Sequence, residues 1–400
     1  MKLLDNRRAF RRLALAGLSV ATLAALAACG ASDGTAGGSG DSIVVGTSMP
    51  LTGPGVDTCV PIAKGAEAWI KSVNAEGGVN GRKIVDRVED DAYQASEALT
   101  NVREFARDED VVALFNGCGS PTAAAIAPFA EQQKIPFLFP WADVPGATKT
   151  DTFFSLIPSN GDMVSAMATA AMEKDGPGSL YVITLALPGI EESLKDIRAA
   201  VEDAGGTYAG DTKVTLNEPD MNSVVLKAKS VGADYIATVT NSSDSAKLIN
   251  TMASQNAFPA KAVITSTSTP TFGFLSGIDE GVDLTKVLAT SVPAAAADES
   301  AASCIAAFEK YAPDLEADSL SLTGCSNAQA LVSALEAAGD DVTRESILKG
   351  LDGFKSEDAA PVLGTLAFAA GDHLGVSQVH AVSFKDGAMV PAFDAPLVGE

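Results

Sequence analysis

Histidine is nearly absent from this sequence of 400 residues, which contains only His373 and His380. Most catalytic triads and many zinc sites use histidine, so both kinds of site are disfavoured. The sequence also lacks a Gly-x-Ser-x-Gly nucleophile elbow, a P-loop and a His-Glu-x-x-His metal motif. We therefore expect no enzymatic activity, no metal ion and no cofactor.

Basic residues are scarce as well, since 28 Lys and Arg stand against 51 Asp and Glu. Five of the basic residues and one acidic residue lie in the first 28 positions, so the remainder holds 23 basic and 50 acidic residues. A surface this acidic repels a phosphate backbone, and we expect no nucleic-acid partner. The length and the hydrophobic content of 46% instead predict a folded protein of two domains.

The amino terminus has the pattern of an export signal. A basic start is followed by 16 apolar or small residues, 13–28, which are too few to cross a bilayer as a helix. The run ends in Leu26-Ala27-Ala28-Cys29, which resembles a lipobox. An ordinary Ala-rich cleavage site followed by a chance cysteine is the alternative. We predict a signal peptide over residues 1–28 and a lipid on Cys29, with general or twin-arginine export left open.

Residues 29–42 are small and polar, with almost nothing to bury, and predict a flexible tether. No later stretch is long and apolar enough to span a membrane. We therefore expect a folded protein held by its lipid at the outer face of a bacterial cell membrane.

Four further cysteines form an even set, which predicts disulfides in an oxidising compartment. They are Cys59, Cys118, Cys304 and Cys325. Three pairings are possible, and four buried thiols are the alternative. We predict the most local pairing, Cys59–Cys118 with Cys304–Cys325, because Cys59 and Cys118 are expected in loops after the first and third strands, at one sheet edge.

Strand and helix patterns alternate along most of the remaining chain, and the alternation restarts near residue 160. The predicted elements include a strand over 213–216 and a helix near 328–338. Such alternation predicts parallel sheets with right-handed crossovers. The fold class is therefore α/β, with two Rossmann-like lobes and a cleft between the carboxyl ends of their strands. Open α/β sheets bind ligands in such a cleft.

Small polar residues follow several of the predicted strands. They occur in the runs 48–53, 116–122, 141–143, 240–243 and 265–269. Each run alone is more often a helix cap, but a shared position at the cleft favours binding of a carboxylate or another small polar solute. Asp90 and Asp91, which also follow a strand, are expected to cap the next helix rather than act as a catalytic pair.

Several stretches resemble the Leu/Ile/Val-binding-protein family, the substrate-binding lipoproteins of branched-chain amino acid ABC importers. The resemblance rests on the segments 50–54 (PLTGP) and 73–81 (VNAEGGVNG), on Asp90-Asp91 and on Gly119-Ser120. It covers nearly all of the mature part. It implies a type I periplasmic binding protein fold whose lobes close by a hinge motion.

The resemblance also implies the domain boundaries and the partners. The chain would cross between lobes near Ile157, Thr290 and Ala367, with lobe 1 as 43–157 plus 291–366 and lobe 2 as 158–290 plus 367–400. We expect a monomer that captures a small solute (an amino acid, amide or small organic acid) and presents it to ABC permease and ATPase subunits. The alternative is a ligand-sensing module that feeds a membrane receptor, and neighbouring permease and ATPase genes would separate the two.

Finally, the resemblance implies which residues hold the ligand. In the first lobe they are Thr58, Gly119, Ser120, Thr122, Trp141, Ala142 and Asp143. In the second lobe they are Pro188, Thr240, Ser242 and Ser268. Family members usually offer aromatic residues and an acid from the second lobe, but here Pro188 replaces one aromatic residue and residues 265–270 contain no acid. We therefore expect the first lobe to supply most of the affinity, and the resemblance does not support a branched-chain amino acid as ligand. Trp141 is either a wall of the ligand site or part of the core.

Overall fold

A computed structural model describes residues 42–187 and 189–398 of the chain. The predicted signal peptide, Cys29, nearly all of the tether and Pro188 lie outside the described residues. Within the described ranges, no helix is long and apolar enough to cross a membrane. In the same ranges, no group of three or more His, Cys, Asp and Glu residues is placed to hold a metal ion.

Strands and helices alternate along the described chain, as the sequence predicts. The strands are β1 (Ser42–Met49), β2 (Lys83–Asp90), β3 (Val111–Phe115), β4 (Phe137–Leu138), β5 (Phe153–Phe154), β6 (Ser179–Leu185), β7 (Thr207–Val214), β8 (Tyr235–Val239), β9 (Ala262–Thr265), β10 (Val287–Ser291), β11 (Lys355–Ser356), β12 (Leu366–Ala367), β13 (Gln378–Lys385) and β14 (Ala388–Pro396). The α-helices are α1 (Val56–Ala75), α2 (Ala95–Arg107), α3 (Ser120–Gln133), α4 (Asn160–Asp175), α5 (Ile190–Asp203), α6 (Met221–Val231), α7 (Ser242–Ser254), α8 (Phe272–Ser276), α9 (Ala302–Tyr311), α10 (Ser319–Ala337) and α11 (Arg344–Leu351).

Two sheets organise these elements. The first has the order β2-β1-β3-β4-β5 and all its pairs are parallel. The second has the order β14-β13-β10-β9-β8-β6-β7, parallel from β10 to β7, with β13 and β14 added antiparallel at one edge. Central strands such as β3 and β8 are buried along their whole length, as expected where helices cover both faces of a sheet.

The helices divide between the sheets. We call the first sheet with α1–α3 and α9–α11 the first lobe, and the second sheet with α4–α8 the second lobe. Within the first lobe α1 packs against α9 and α10, and within the second lobe α4 packs against α5 and β14. The predicted α/β class with two parallel-sheet lobes is therefore confirmed.

Several elements differ from the sequence predictions. Helix α1 begins at Val56, so Thr58 and Cys59 lie in its first turn rather than in a loop. Helix α10 begins at Ser319, although the pattern predicts a start near Ala328. Strand β7 covers Thr207–Val214, whereas the prediction placed a strand at 213–216. Most of the missed residues are small or polar, and tertiary packing overrides their weak local preference.

Both predicted disulfides are present. Cys59 pairs with Cys118, and Cys304 pairs with Cys325, at Cα–Cα distances of 5.8 and 5.9 Å. The first joins the first turn of α1 to the residue that precedes Gly119, the N-cap of α3, and the second joins α9 to α10. Each bond therefore connects two elements of the first lobe.

Asp86 on β2 predicts a pH dependence of stability. Its Oδ1 accepts a hydrogen bond of 2.7 Å from Thr47 Oγ1, and burial raises its pKa from 3.8 to about 7. Between pH 3.8 and about 7 the Asp86 carboxyl group keeps its proton in the folded protein but releases it in the unfolded chain. The contribution of Asp86 to stability is therefore most favourable at low pH, and it is lost as the pH rises toward 7. We expect Asp86→Asn to be more stable than the wild type at about pH 8, by roughly 1–2 kcal/mol, with the difference shrinking at about pH 5.

Urea unfolding at both pH values measures this difference. The exposed Asp203, in the last turn of α5, offers a control, because Asp203→Asn removes the same charge without a buried carboxyl group. A constant difference between Asp86→Asn and the wild type at the two pH values would contradict the prediction.

Candidate functional site

A cleft of about 280 Å³ lies between the two lobes, at the carboxyl ends of parallel strands from both sheets. The first lobe contributes the segments 53–59, 118–120 and 141–143 together with Tyr93. The second lobe contributes Leu185, Leu187, 216–217, 239–242 and 266–268, and Ile157, Asn160 and Met163 complete the lining. Open α/β sheets bind ligands at this position.

Helices α1 and α3 both begin at this cleft. Their N-cap residues, Gly55 and Gly119, have positive φ values of 89° and 108°, and neither helix start has a side-chain cap. Apart from the Thr58 N–H, which donates to the carbonyl of Gly55 at 3.0 Å, and Pro121, which has no N–H, the backbone N–H groups in the two first turns are left for water or a ligand. Helix dipoles favour a negatively polarised atom at such a place.

Ser120 and Asp143 form the centre of the first-lobe wall. The backbone N–H of Asp143 donates to Ser120 Oγ at 3.1 Å, which leaves the Ser120 hydroxyl hydrogen free to donate. Asp143 Oδ2 accepts from the backbone N and from Nδ2 of Asn160, at 3.0 and 2.9 Å. Burial raises the pKa of Asp143, and the hydrogen bonds from Asn160 act in the opposite direction.

Hydroxyl groups of the second lobe are mostly engaged with each other. Thr240 Oγ1 and Ser245 Oγ are 2.8 Å apart, and Ser242 Oγ donates to the carbonyl of Ser268. Asn241 caps α7 by accepting from the backbone N–H of Asp244. The hydroxyl groups of Thr240 and Ser242 are therefore already used within the second lobe.

Most of the predicted ligand-binding residues line the cleft. They are Thr58, Gly119, Ser120, Trp141, Ala142, Asp143, Thr240, Ser242 and Ser268. Thr122 requires a correction, because it is buried and its Oγ1 donates to the carbonyls of Cys118 and Gly119 at 3.0 and 2.8 Å. Its hydroxyl is used by the first turn of α3, and Thr122 is not among the residues that line the cleft.

Trp141 lies both at the cleft and against the core, the two roles that the sequence left as alternatives. It lines the cleft, and it packs against the core residues around Met49, Ile62 and Leu320. Its backbone carbonyl accepts from the N–H of Gly119 at 3.0 Å, which joins the loop after β4 to the start of α3. A substitution at Trp141 is therefore expected to affect both the cleft and the core.

Asp90 and Asp91 do not cap α2, whose N-cap is Gln94, so the capping prediction is wrong. Asp90 Oδ1 accepts from the backbone N–H groups of Leu51 and Ala92, both at 2.9 Å. Asp91 Oδ1 accepts from the N–H of Tyr93 at 2.9 Å, and its Oδ2 accepts from Ser48 Oγ at 3.1 Å. The two carboxylates instead shape the loop that places Tyr93 in the cleft.

Sequence reasoning missed Tyr93, Asp57, Asn160 and the aliphatic residues of the second-lobe wall. Those aliphatic residues are Leu185, Leu187, Leu216 and Val239. The position of Tyr93 in the sequence could have indicated a place at the cleft, since Tyr93 follows the end of β2 at the same sheet edge as the other polar runs. The aliphatic residues carried none, because apolar residues at strand ends are equally typical of a core.

The charges at the cleft have one sign. Asp57 and Asp143 line it, and no Lys, Arg or His is among its lining residues in the described part of the chain. The first-lobe side of the cleft therefore presents two carboxylates together with hydroxyl and backbone N–H groups.

Comparison with known proteins agrees with this architecture. The family model for periplasmic binding proteins matches residues 42–388. Leu/Ile/Val-binding protein homolog 7 of Brucella abortus (strain 2308) is 27% identical over 271 residues, which is 62% of this chain and 62% of the relative's length. The alignment thus spans less than two thirds of that relative.

Solved structures share the fold at low sequence identity. A fatty acid ABC transporter substrate-binding protein from Thermomonospora curvata is 19% identical, with a TM-score of 0.77 over 90% of this chain and 93% of the other. A branched chain amino acid ABC transporter protein from Thermus thermophilus, with bound valine, is 16% identical, with a TM-score of 0.78 over 90% and 97%. With the family match, these similarities confirm the predicted type I fold, and the chain belongs to the periplasmic binding protein family that includes the Leu/Ile/Val-binding proteins.

Proposed function

We propose that this protein is the extracytoplasmic solute-binding lipoprotein of an ABC importer and that it captures a small polar solute between its lobes. The observation that carries the proposal is the cleft itself, where two uncapped helix starts and the Ser120 hydroxyl face a space of about 280 Å³. Pockets that bind small molecules combine an apolar lining with a few such convergent polar groups.

The connections between the lobes support capture by closure. The chain passes from one lobe to the other between β5 and α4, between β10 and α9, and between β12 and β13. The crossings predicted near Ile157, Thr290 and Ala367 remain part of this proposal. Connections of this kind allow hinge closure around a ligand, because a few loop residues in them can absorb the change in backbone dihedral angles.

Contacts at the rim of the cleft support the same motion. A Cβ at Gly189, the N-cap of α5, would lie 2.5 Å from Cγ of Pro145, so these two segments of opposite lobes are in contact. Asn160 at the start of α4 also reaches Asp143 across the lobes. Closure would add such contacts while it excludes water from the ligand.

Ser120→Ala is expected to weaken ligand binding about tenfold or more, because a hydrogen bond to a charged ligand group is lost. Ser242→Ala should have a smaller effect, since the Ser242 hydroxyl already donates to the Ser268 carbonyl. Thermal-shift screening of the purified mature protein with amino acids, amides and small organic acids identifies a ligand, and calorimetry then compares the variants. A larger loss in Ser242→Ala than in Ser120→Ala would show that the second lobe supplies most of the affinity.

Uptake of the labelled ligand by cells with and without the gene separates import from sensing.

The lipid anchor is tested separately. We expect Cys29→Ala to be released into the medium or to remain as uncleaved precursor, because two acyl chains hold a protein at a membrane far better than one or none. Fractionation and mass measurement of the wild type and the variant decide the question. A variant of mature mass that stays in the membrane fraction would contradict lipidation at Cys29.

A further inference from the structure

Two neighbouring strands of the first sheet bend at the same level, just before their loops reach the cleft. The parallel pairing of β3 with β4 is regular up to the ends of both strands. The residue after each strand, Asn116 after β3 and Phe139 after β4, has a positive φ value, 50° and 60° respectively. Pairing resumes between Cys118 and Trp141. The two chain segments therefore leave the sheet through a shared bend.

The left-handed conformation at this bend is unfavourable, above all for Phe139. Asparagine adopts it more readily than most residues, whereas a bulky residue such as phenylalanine does so rarely. Asn116 and Phe139 are both buried, each with 1% of its surface exposed. Strained conformations persist only where the surrounding structure over-determines them, and they cluster at functional sites. Contacts that hold both residues in place are therefore expected.

Asn327 of α10 supplies such a contact from a distant part of the chain. Its side-chain Nδ2 donates to Oδ1 of Asn116 at 2.8 Å and to the backbone carbonyl of Phe139 at 3.0 Å, so both hydrogens of the amide group are used. Asn327 is 1% exposed, and its Oδ1 has no hydrogen-bond partner among the described residues. The structure therefore uses the donor group of this side chain, and it uses it to bond both left-handed residues.

Helix α10 gives Asn327 a fixed position. A Cβ at Gly324, three residues earlier, would overlap the carbonyl oxygen of Ile62 in α1, so the backbones of the two helices are in close contact. Closely packed helices have little freedom to shift, and side chains on such rigid elements position their neighbours more precisely than side chains on loops. The hydrogen bonds from Asn327 therefore tie the bend to a rigid part of the first lobe.

The loops beyond the bend line the cleft with the segments 118–120 and 141–143. The N–H of Trp141 donates to the carbonyl of Gly117 at 2.7 Å, which joins the two loops directly. A rotation at the bend would therefore move both segments together. Neither the two residues of the bend nor Asn327 lines the cleft, so their effect on a bound solute must be indirect.

From this geometry we infer that Asn327 is a positioning residue for solute binding. Its amide group holds Asn116 and Phe139 in the left-handed conformation, and the bend then places the start of α3 and the loop after β4 at the cleft. The inference rests on the proposed solute-binding function, and it concerns the geometry of the first-lobe wall rather than the identity of the solute. Without this amide, two buried oxygen atoms lose their donor and the bend can relax.

Hydrogen exchange of the purified mature protein tests the positioning role without any solute. Asn327→Leu keeps the approximate size of the side chain and removes both donated hydrogen bonds. The backbone amides of Gly119 and Trp141, whose hydrogen bonds join the loops, should exchange about tenfold faster in this variant than in the wild type. Gln329→Met is the matched control, because Gln329 is also buried in α10 but its Nε2 donates to Oγ of Ser303, and neither residue lines the cleft. The control should leave the exchange of these two amides unchanged.

A second substitution separates positioning from general packing of α10. Glycine adopts positive φ without a steric penalty and has no side-chain oxygen that needs a donor. Asn327→Leu should therefore accelerate exchange less in an Asn116→Gly background than in the wild-type background, because residues joined by a hydrogen bond are coupled. Equal accelerations in the two backgrounds would show that Asn327 does not act through Asn116, and would overturn the inference.

Calorimetry at a temperature where every variant is folded then measures the effect on affinity. The probes are L-leucine, acetamide and benzoate, one for each class of solute in the proposed function. Any probe that the wild type binds should bind about tenfold more weakly to Asn327→Leu and equally well to Gln329→Met. A mere loss of stability would not change the affinity of the folded protein, so this comparison distinguishes a positioning role from a structural one.

The outcomes separate this inference from the proposed function. Unchanged exchange of the Gly119 and Trp141 amides in Asn327→Leu, or an equal acceleration in Gln329→Met, would overturn the positioning role and leave solute binding intact. Faster exchange in Asn327→Leu with unchanged affinity for a bound probe would overturn its role in binding. If the wild type binds none of the three probes, that result counts against capture of such solutes, whereas the exchange data decide the positioning role by themselves.

Discussion

Gly324→Ala is expected to lower the free energy of unfolding by about 3 kcal/mol or more. Gly324 lies in α10, and a Cβ there would overlap the carbonyl oxygen of Ile62 in α1. Gly65 in α1 faces the carbonyl oxygen of Ser321 in the same way. A side chain can rotate away from an added methyl group, but these contacts are with backbone atoms. The two helices must therefore move apart, and the packing between them is lost along their length.

Urea unfolding of Gly324→Ala, Gly65→Ala and a control variant measures this loss. Gly273→Ala is a suitable control, because Gly273 is exposed in α8 and its added methyl group would meet only Thr271 Oγ1, at 3.8 Å. The control should change stability by less than about 1 kcal/mol. Gly324→Ala and Gly65→Ala behaving like the control would show that α1 and α10 can separate at little cost.

Loss of the Cys59–Cys118 disulfide is expected to lower the free energy of unfolding by about 4 kcal/mol, since the bond closes a loop with a sequence separation of 59. The bond also joins the first turn of α1 to the start of α3, the two uncapped helix starts of the cleft. Without it these starts must be ordered when the ligand binds. The double variant Cys59→Ala/Cys118→Ala should therefore lose ligand affinity as well as stability.

The second disulfide provides the matched control. Cys304–Cys325 closes a loop with a separation of 21, so Cys304→Ala/Cys325→Ala should lose about 3 kcal/mol. Neither cysteine lines the cleft, and ligand affinity should stay unchanged in this variant. Chemical unfolding gives the stabilities, and calorimetry with the ligand found by screening gives the affinities. Equal affinities in both double variants would contradict a role of Cys59–Cys118 in ordering the cleft.

Residues of the cleft were predictable from sequence where a polar run follows a strand. Ser120 and Asp143 follow β3 and β4, and parallel strands bring their carboxyl ends to one edge, so their proximity could be anticipated. Thr122 follows the same rule, but its hydroxyl turns back to the carbonyls of Cys118 and Gly119. A serine or threonine in a first helical turn has both options, and only the local backbone selects one.

Tyr93 lines the cleft, but the sequence analysis did not predict it. The pair Asp90-Asp91 is typical of a helix cap, and that interpretation left the next residues without a role. The structure uses both carboxylates to hold Ala92 and Tyr93 at positive φ, which places the ring against Gly119. Positive φ at a non-glycine residue has no reliable sequence signal, because it depends on hydrogen bonds from surrounding loops.

The sequence alone determined the α/β class, the two lobes and the strand ends that form the cleft. These features follow from local hydrophobic periodicity and from the rules of parallel sheets. Tertiary structure alone decided the full length of α10, whose first half (SLSLTGCSN) has weak helix propensity but is buried against α1. It also decided which hydroxyl groups remain free at the cleft and where the Tyr93 ring lies. Those features depend on contacts between residues far apart in the chain, and local sequence patterns do not record such contacts.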